Sequence, residues 1–179
     1  VAEERHVALV HALAPGPHAH HRRAQAGRAH AIGIFALARG VGERVGRLAK
    51  LAKAFDMNVI GIRRNIDPIK SRVDEAYTPQ EFLGLLHRAD FVALTCPLTD
   101  ETANIINETT LAAMRNDAYL INVARGGCVD ESALVDALSS GSIAGAGIDT
   151  TAEEPLANNS ALWEMSNVIL TPHTAGETQ

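Results

Sequence analysis

From residue 31 onward, short apolar runs rich in β-branched residues alternate with longer stretches in which apolar residues recur at helical spacing. This alternation is typical of βα units built on a parallel sheet. The sequence therefore predicts an α/β fold with a Rossmann-like, doubly wound parallel sheet. Six strands are predicted, at residues 32–35, 59–62, 91–94, 119–123, 146–148 and 168–170.

Two of the predicted helices carry clear start signals. Residues 78–81 read Thr-Pro-Gln-Glu, which is a capping box with proline at the first helical position, and Phe82, Leu85 and Leu86 share one face. Asp130 is the predicted N-cap of a second helix, and Gly141 is the residue expected to end it. Both helices fit between predicted strands, as a doubly wound sheet requires.

Composition narrows the class of protein. The chain has 179 residues, a formal net charge of −5 and 46% hydrophobic residues, and its pI of about 5.9 argues against nucleic acid as a partner. The longest apolar run, residues 31–38, is far shorter than a membrane helix. Cys96 and Cys128 lack CxxC spacing, so we expect no disulfide framework, no zinc site and a cytoplasmic location.

A glycine-containing turn follows the first predicted strand. Gly40, Gly42 and Gly46 form GxGxxxG, one residue longer than the fingerprint of dinucleotide-binding folds, and alanines stand at 36 and 38 where direct alignment expects glycine. Glycines at this position let the backbone approach a pyrophosphate at a helix N-terminus. A helix start that merely contains glycines remains the alternative.

Two arginines, Arg63 and Arg64, follow the second predicted strand. A fold of this type that prefers NAD usually places an acidic residue there, on the 2′-hydroxyl of the ribose. Guanidinium groups instead suit a 2′-phosphate, so the sequence favours NADP over NAD. The alternative is that both are ordinary solvated arginines.

Polar residues also stand at the carboxyl ends of the later predicted strands. Cys96 and Pro97 follow the third strand, and Arg125, Asp149 and His173 follow the next three. Ligands of open α/β sheets bind beyond these ends, so we expect the side chains to converge on one crevice. Each could singly be a surface ion pair or a helix cap, but core packing does not explain four in succession.

Several long motifs in this half resemble the nicotinamide-binding domain of the D-isomer-specific 2-hydroxyacid dehydrogenases. They are ADFVALTCPLTDETANII, INVARGGCVDESALVDAL, SGSIAGAGID and ALWEMSNVILTPHTAG. The resemblance extends over nearly the whole chain. It implies a dinucleotide-binding domain at residues 31–179, preceded by a helical or linker segment at 1–30, with the substrate domain of the family absent from this chain. The chain is accordingly expected to be an excised segment of a longer protein.

The resemblance implies a role for each site residue in the reduction of a 2-keto acid to a D-2-hydroxy acid by NAD(P)H. Arg125 would hold the substrate, Glu154 would be the catalytic glutamate, with Glu153 as the alternative bearer, and His173 would be the acid/base. A carboxylate beside a histidine favours the imidazolium form, which can donate a proton to the developing alkoxide. The implied cofactor contacts are Arg39, Gly40, Val41, Gly42, Arg63, Arg64, Cys96, Pro97, Val123, Ala124, Arg125, Asp149, His173, Ala175 and Gly176.

Other functions remain open at this point. The same scaffold resembles corepressors that sense NAD(H) without catalysis, although the retained Arg125, Glu154 and His173 disfavour that role. A formate dehydrogenase-like enzyme is a third possibility, but glutamine is expected there in place of Glu154. The family implies a homodimer, with residues 1–13 near the interface and a small 2-keto or 2-hydroxy acid as substrate.

Two local features of the sequence carry expectations of their own. The histidines at residues 18–21 could share a metal ion, but no acidic residue or cysteine lies beside them, so we predict a solvated segment and no metal site. Asp56 stands where the family has glycine in the turn before the second strand. Aspartate tolerates left-handed backbone geometry better than most residues, so this replacement is expected to be accommodated.

Overall fold

A computed structural model describes residues 31–35 and 42–175, with side chains described from residue 46. Its seven strands form one parallel sheet in the order β3-β2-β1-β4-β5-β6-β7. The predicted doubly wound parallel sheet is confirmed. The strands are β1 Ala31–Phe35, β2 Asn58–Ile62, β3 Glu75–Tyr77, β4 Phe91–Leu94, β5 Tyr119–Asn122, β6 Gly145–Ile148 and β7 Val168–Leu170.

Four α-helices and four 3-10 segments connect these strands. The α-helices are α1 Gly42–Ala54, α2 Phe82–Leu85, α3 Glu108–Ala113 and α4 Glu131–Ser140. The 3-10 segments are Pro79–Glu81, Leu86–Arg88, Gly126–Cys128 and Ala161–Trp163. These counts refer to the described ranges alone.

The strand order creates a crevice beside β1. This strand pairs with β2 on one side and β4 on the other, both in parallel register. The direction of chain progression reverses there, and ligands of open α/β sheets bind at such a reversal, beyond the carboxyl ends of the strands. All seven strands are parallel, so the loops that follow them lie along the same edge.

Buried side chains fix the sheet against its helices. The large cluster includes Leu94, Leu120 and Ile148 from three strands and Leu134 and Leu138 from α4. A smaller cluster, in which Ala49 and Ala52 of α1 pack against Val59, Ile69 and Val73, covers the β2 end. Burial of this apolar surface is the main favourable term in folding.

The predicted strands are confirmed within one residue at each end, and β4 and β7 match the prediction at both ends. The six-strand prediction was incomplete, because it missed β3. This strand has only three half-buried residues, Glu75 to Tyr77, and it lies at the edge of the sheet. Such a strand has no apolar run that would reveal it.

The two helix-start predictions had different outcomes. Asp130 caps α4, since its carboxylate accepts from the amide of Ala133 at 3.1 Å, and Gly141 ends the helix with a φ of 72°. The Thr78 capping box is also present, but the helix that follows is divided into 3-10, α and 3-10 parts. The prediction of one continuous helix was therefore wrong, although the predicted apolar face is buried.

Asp56 adopts the left-handed conformation expected of it, with a φ of 57°. It lies two residues after the end of α1, and its amide donates to the carbonyl of Lys53 at 3.0 Å. The aspartate therefore fills a turn position that glycine usually takes.

Candidate active site

The loops after β6 and β7 bring two predicted side chains into contact. Nδ1 of His173 lies 2.8 Å from Oε2 of Glu154, and both side chains are about two-fifths exposed. Glu154, rather than its neighbour Glu153, is thus the carboxylate that contacts the histidine. Since the Glu154 contact occupies Nδ1, the other ring nitrogen, Nε2, remains for a ligand in the crevice.

Asp149, at the end of β6, holds the backbone of the histidine loop. Its carboxylate is buried and accepts hydrogen bonds from the hydroxyl of Thr171 at 2.6 Å and the amides of Thr174 and Ala175 at 3.0 and 2.9 Å. Its own carbonyl accepts from the amide of His173 at 2.9 Å. These bonds satisfy a buried charge and fix the loop at four points.

His173 has a strained backbone, with a φ of 52° in the left-handed region. A non-glycine residue takes this conformation at some cost, and the surrounding contacts must maintain it. Here the hydrogen bonds from the loop to Asp149 do so. In this backbone conformation the imidazole ring contacts Glu154.

Glu154 is oriented from both sides. The amide of Thr151 donates to its Oε1 at 3.2 Å, while His173 contacts its Oε2. The hydrogen bond from His173 is the main reason that the pKa of the Glu154 carboxyl lies below its ordinary value. Because the pKa is lowered, the pair stabilises the fold above the ordinary glutamate pKa and loses this contribution as the pH falls through the lowered value.

A His173→Ala substitution should raise the pKa of Glu154 towards the ordinary glutamate value, because it removes the largest cause of the lowering. An NMR pH titration of the Glu154 carboxyl carbon measures this. His87→Ala is the matched control. His87 is exposed and precedes β4, so it lies where the strands begin and not where they end. A Glu154 titration that is the same in both variants would contradict the assigned contact.

Arg125 follows β5 and projects to solvent. It is exposed, and its Nη1 donates to the carbonyl of Ala124 at 2.7 Å. Within the described ranges it forms no ion pair, so its guanidinium can bind an anionic ligand. Bidentate binding of a carboxylate is the strongest contact that this group makes.

Asn122, the last residue of β5, is buried and sets the turn that carries Arg125. Its Nδ2 donates to the carbonyl of Arg125 at 3.1 Å, and its Oδ1 accepts from the amide of Ala124 at 3.1 Å. Sequence reasoning missed both Asn122 and Thr171. A polar residue that ends an otherwise apolar strand was the available signal for Asn122.

The turn after β5 lies directly against the loop after β6. A Cβ atom added to Gly126 would overlap the carbonyl of Thr151, which is main chain. The amide of Ala152 in that loop also donates to the carboxylate of Glu131 at 3.1 Å. The absence of a side chain at Gly126 therefore lets the Arg125 turn and the Glu154 loop approach each other closely.

The two cysteines pack against each other between neighbouring loops. Cys96 and Cys128 are free and buried, with their sulfurs 3.9 Å apart. The hydrogen bond between the two sulfurs is the main reason that the pKa of Cys128 is lowered and that of Cys96 is raised. The side chain of Cys96, a predicted cofactor contact, thus faces the interior, whereas the adjacent Pro97 is exposed at the edge of the crevice.

The remaining cofactor predictions divide by position. Arg63 and Arg64 follow β2, the former half-buried with its amide bonded to the carbonyl of Tyr77 at 3.0 Å and the latter exposed. Val123 is half-buried and Ala124 buried in the Arg125 turn, and the backbone of Gly42 begins α1. The predictions for Arg39, Gly40, Val41, Gly176 and the segment 1–30 lie outside the described residues.

The described donors fit a dinucleotide along this edge. Two guanidinium groups at the end of β2 suit a phosphate, and the exposed Arg125 turn lies three strands away. Thr150, next to Asp149, is buried, and its hydroxyl has no hydrogen-bond partner among the described residues. An unpartnered buried hydroxyl at a strand end is suited to a polar ligand.

Neither a membrane span nor a metal cluster occurs in the part of the chain that the structure describes. No helix there is both long and apolar enough to cross a bilayer. Across those same residues, no three His, Cys, Asp or Glu side chains are arranged to hold a metal ion.

Comparison with known proteins agrees with this geometry. The chain is 44% identical over 143 residues to a glyoxylate reductase of Pyrococcus horikoshii, matching 79% of this chain and 41% of that protein. A D-isomer specific 2-hydroxyacid dehydrogenase of Xanthobacter autotrophicus, solved with NADPH, aligns at a TM-score of 0.72 with 36% identity, over 82% of this chain and 44% of that one. A second, of Lactobacillus delbrueckii with NAD, aligns at 0.70 with 35% identity, over 83% and 47%.

The chain thus spans less than half of the length of these relatives. Residues 10–175 match the family model described as the NAD binding domain of D-isomer specific 2-hydroxyacid dehydrogenases. The match covers most of the sequence and includes the strand ends that carry Arg125, Glu154 and His173. The chain belongs to the D-isomer specific 2-hydroxyacid dehydrogenase family.

Proposed function

We propose that this chain is the cofactor-binding and proton-transfer part of an oxidoreductase that interconverts a 2-keto acid and a D-2-hydroxy acid. The observation that carries the proposal is the 2.8 Å contact between Nδ1 of His173 and Oε2 of Glu154 at the ligand-binding edge of the sheet. This pair leaves Nε2 available for a proton of the substrate. A corepressor that only senses cofactor has no need of such a pair.

Each side chain has a distinct part in the mechanism. When bound, the reduced nicotinamide supplies the hydride that adds to the carbonyl carbon of the substrate. Arg125 binds the substrate carboxylate through its exposed guanidinium and stabilises the negative charge that develops on the carbonyl oxygen. His173 donates the proton from Nε2 to that oxygen, and in the reverse direction it accepts the proton from the hydroxyl.

Glu154 makes His173 effective in that step. Its carboxylate accepts a hydrogen bond from the N–H at Nδ1, which fixes the orientation of the ring and leaves Nε2 directed to the substrate. Asp149 acts one step further away as a positioning residue, because it binds the hydroxyl of Thr171 before His173 and the backbone amides of His173 and Thr174.

We propose NADP as the preferred cofactor, with NAD also accepted. Arg63 and Arg64 stand at the end of β2, where the ribose 2′-group of a dinucleotide lies in this fold. The relatives include one solved with NADPH and one solved with NAD. A homodimer and a cytoplasmic location complete the proposal, and the buried free thiols of Cys96 and Cys128 fit a reducing compartment.

Fluorescence titration of the 179-residue chain with NADPH and NADH tests the cofactor assignment. Arg64→Ala should weaken NADPH binding about tenfold and leave NADH binding almost unchanged, because the lost charge-assisted bond reaches only the 2′-phosphate. Lys50→Ala, which removes an exposed positive charge from the C-terminal half of α1, is the matched control. Equal losses for the two cofactors, or none, would contradict the arginine assignment.

A further inference from the structure

An ion pair bridges the crevice at the point where the sheet reverses. Nη2 of Arg64 lies 3.0 Å from Oε2 of Glu101, and the two side chains are 48% and 62% exposed. Arg64 follows β2 and Glu101 follows β4, and only β1 lies between those strands. The pair thus spans the carboxyl end of β1, where the adenosine half of a dinucleotide binds in this fold.

The turn that carries Glu101 is held firmly. Thr102 is fully buried, and its hydroxyl donates to the carbonyl of Pro97 at 2.7 Å and accepts from the amide of Thr99 at 2.7 Å. The amide of Ala103 closes the turn on the carbonyl of Thr99 at 2.8 Å. Glu101 therefore starts from a fixed backbone, which keeps its carboxylate within reach of Arg64.

The two side chains of this ion pair favour different groups at the 2′ position of the ribose. The guanidinium of Arg64 attracts a 2′-phosphate, whereas the carboxylate of Glu101 competes for that guanidinium and repels the phosphate. A 2′-hydroxyl can instead donate a hydrogen bond to a carboxylate. An acidic group suited to NAD is thus present, but it comes from the loop after β4 instead of the end of β2.

We propose that Glu101 is a specificity-determining residue that limits the preference for NADP and admits NAD. It acts by engaging Arg64 and by accepting a hydrogen bond from the ribose 2′-hydroxyl. This inference rests on the proposed function, since it assumes that the crevice binds a nicotinamide dinucleotide.

Glu101→Gln tests the inference in the 179-residue chain, with dissociation constants for NADPH and NADH measured by fluorescence titration at one fixed ionic strength. NADPH should bind about fivefold more tightly, which is the scale of an exposed ion pair, while NADH should bind equally or two- to threefold more weakly. The NADPH to NADH affinity ratio thus rises. Glu101→Asp, which keeps the charge, should leave the ratio closer to that of the unmodified chain.

Asp100→Asn is the matched control. Asp100 is adjacent and exposed and carries the same charge, but it forms no ion pair within the described part of the chain. It should change the affinity ratio by less than twofold, because its charge acts only through solvent. In an Arg64→Ala background, Glu101→Gln should also lose most of its effect on NADPH, because the two side chains are coupled.

The outcomes separate this inference from the proposed function. A Glu101→Gln effect no larger than that of Asp100→Asn, or one that persists undiminished without Arg64, would overturn the role of Glu101 alone. Failure of the unmodified chain to bind either NADPH or NADH would overturn the proposed function, and the inference with it. A raised affinity ratio that depends on Arg64 would support both.

Discussion

A His173→Ala variant is expected to lose about a thousandfold in kcat while its cofactor affinity changes little, because general acid catalysis by a positioned histidine contributes on that scale. Nδ1 of His173 contacts Glu154, so Nε2 is the nitrogen of the ring that can face the substrate. Removal of the ring leaves the Glu154–His173 pair without a proton donor for the carbonyl oxygen. Turnover is measured in a polypeptide that joins this chain to a substrate-binding domain, with cofactor affinity measured in parallel.

The matched control for this experiment is again His87→Ala, at the amino-terminal end of β4. It should leave both kcat and cofactor affinity unchanged. Glu154→Gln should give an intermediate loss, because the glutamine can still hydrogen-bond the ring but, as a neutral acceptor, holds it less firmly than a carboxylate does. Unchanged turnover in His173→Ala would refute the proton-transfer role.

A Gly126→Ala variant is expected to lose about 3 kcal/mol in free energy of unfolding, the upper range for forced overpacking. The added methyl group would overlap the main-chain carbonyl of Thr151, which cannot rotate away as a side chain could. The Arg125 turn and the Glu154 loop must then move apart. Urea denaturation followed by circular dichroism measures the loss.

Gly84→Ala is the matched substitution for this experiment. A Cβ atom at Gly84 meets nothing within 4 Å, and the residue lies in α2. Alanine is the better helix former by up to about 1 kcal/mol, so this variant should be as stable as the unmodified chain or more stable. If Gly126→Ala were equally stable, the close approach of the two loops would be wrong.

The sequence predicted the fold well where an element is long or buried. The strands around Val92 and Ile121 appear as apolar β-branched runs, and parallel strands bring their carboxyl ends together, so the candidate site was expected at that edge of the sheet. The edge strand β3 has no such run. The division of the helix around α2 depends on tertiary packing, which local propensity does not encode.

Within the site, the family resemblance already favoured Glu154 over Glu153 as the partner of His173, and the structure has that contact. Other pairings could not be predicted. The hold of Asp149 on the histidine loop and the contact of Glu101 with Arg64 join segments that are distant in sequence. Such contacts depend on how separate loops meet above the sheet.

The strand order also sets the distance between Arg64 and Arg125 along the sheet. Between β2, which carries the arginines, and β5, which carries Arg125, lie β1 and β4, so three inter-strand steps separate them. At about 4.8 Å a step, this distance is roughly 14 Å. The residues proposed to recognise the ribose and the residue proposed to bind the substrate are therefore held apart by the backbone itself. Substitutions at Arg64 and Glu101 are therefore expected to change the cofactor preference while the contact between Glu154 and His173 stays intact.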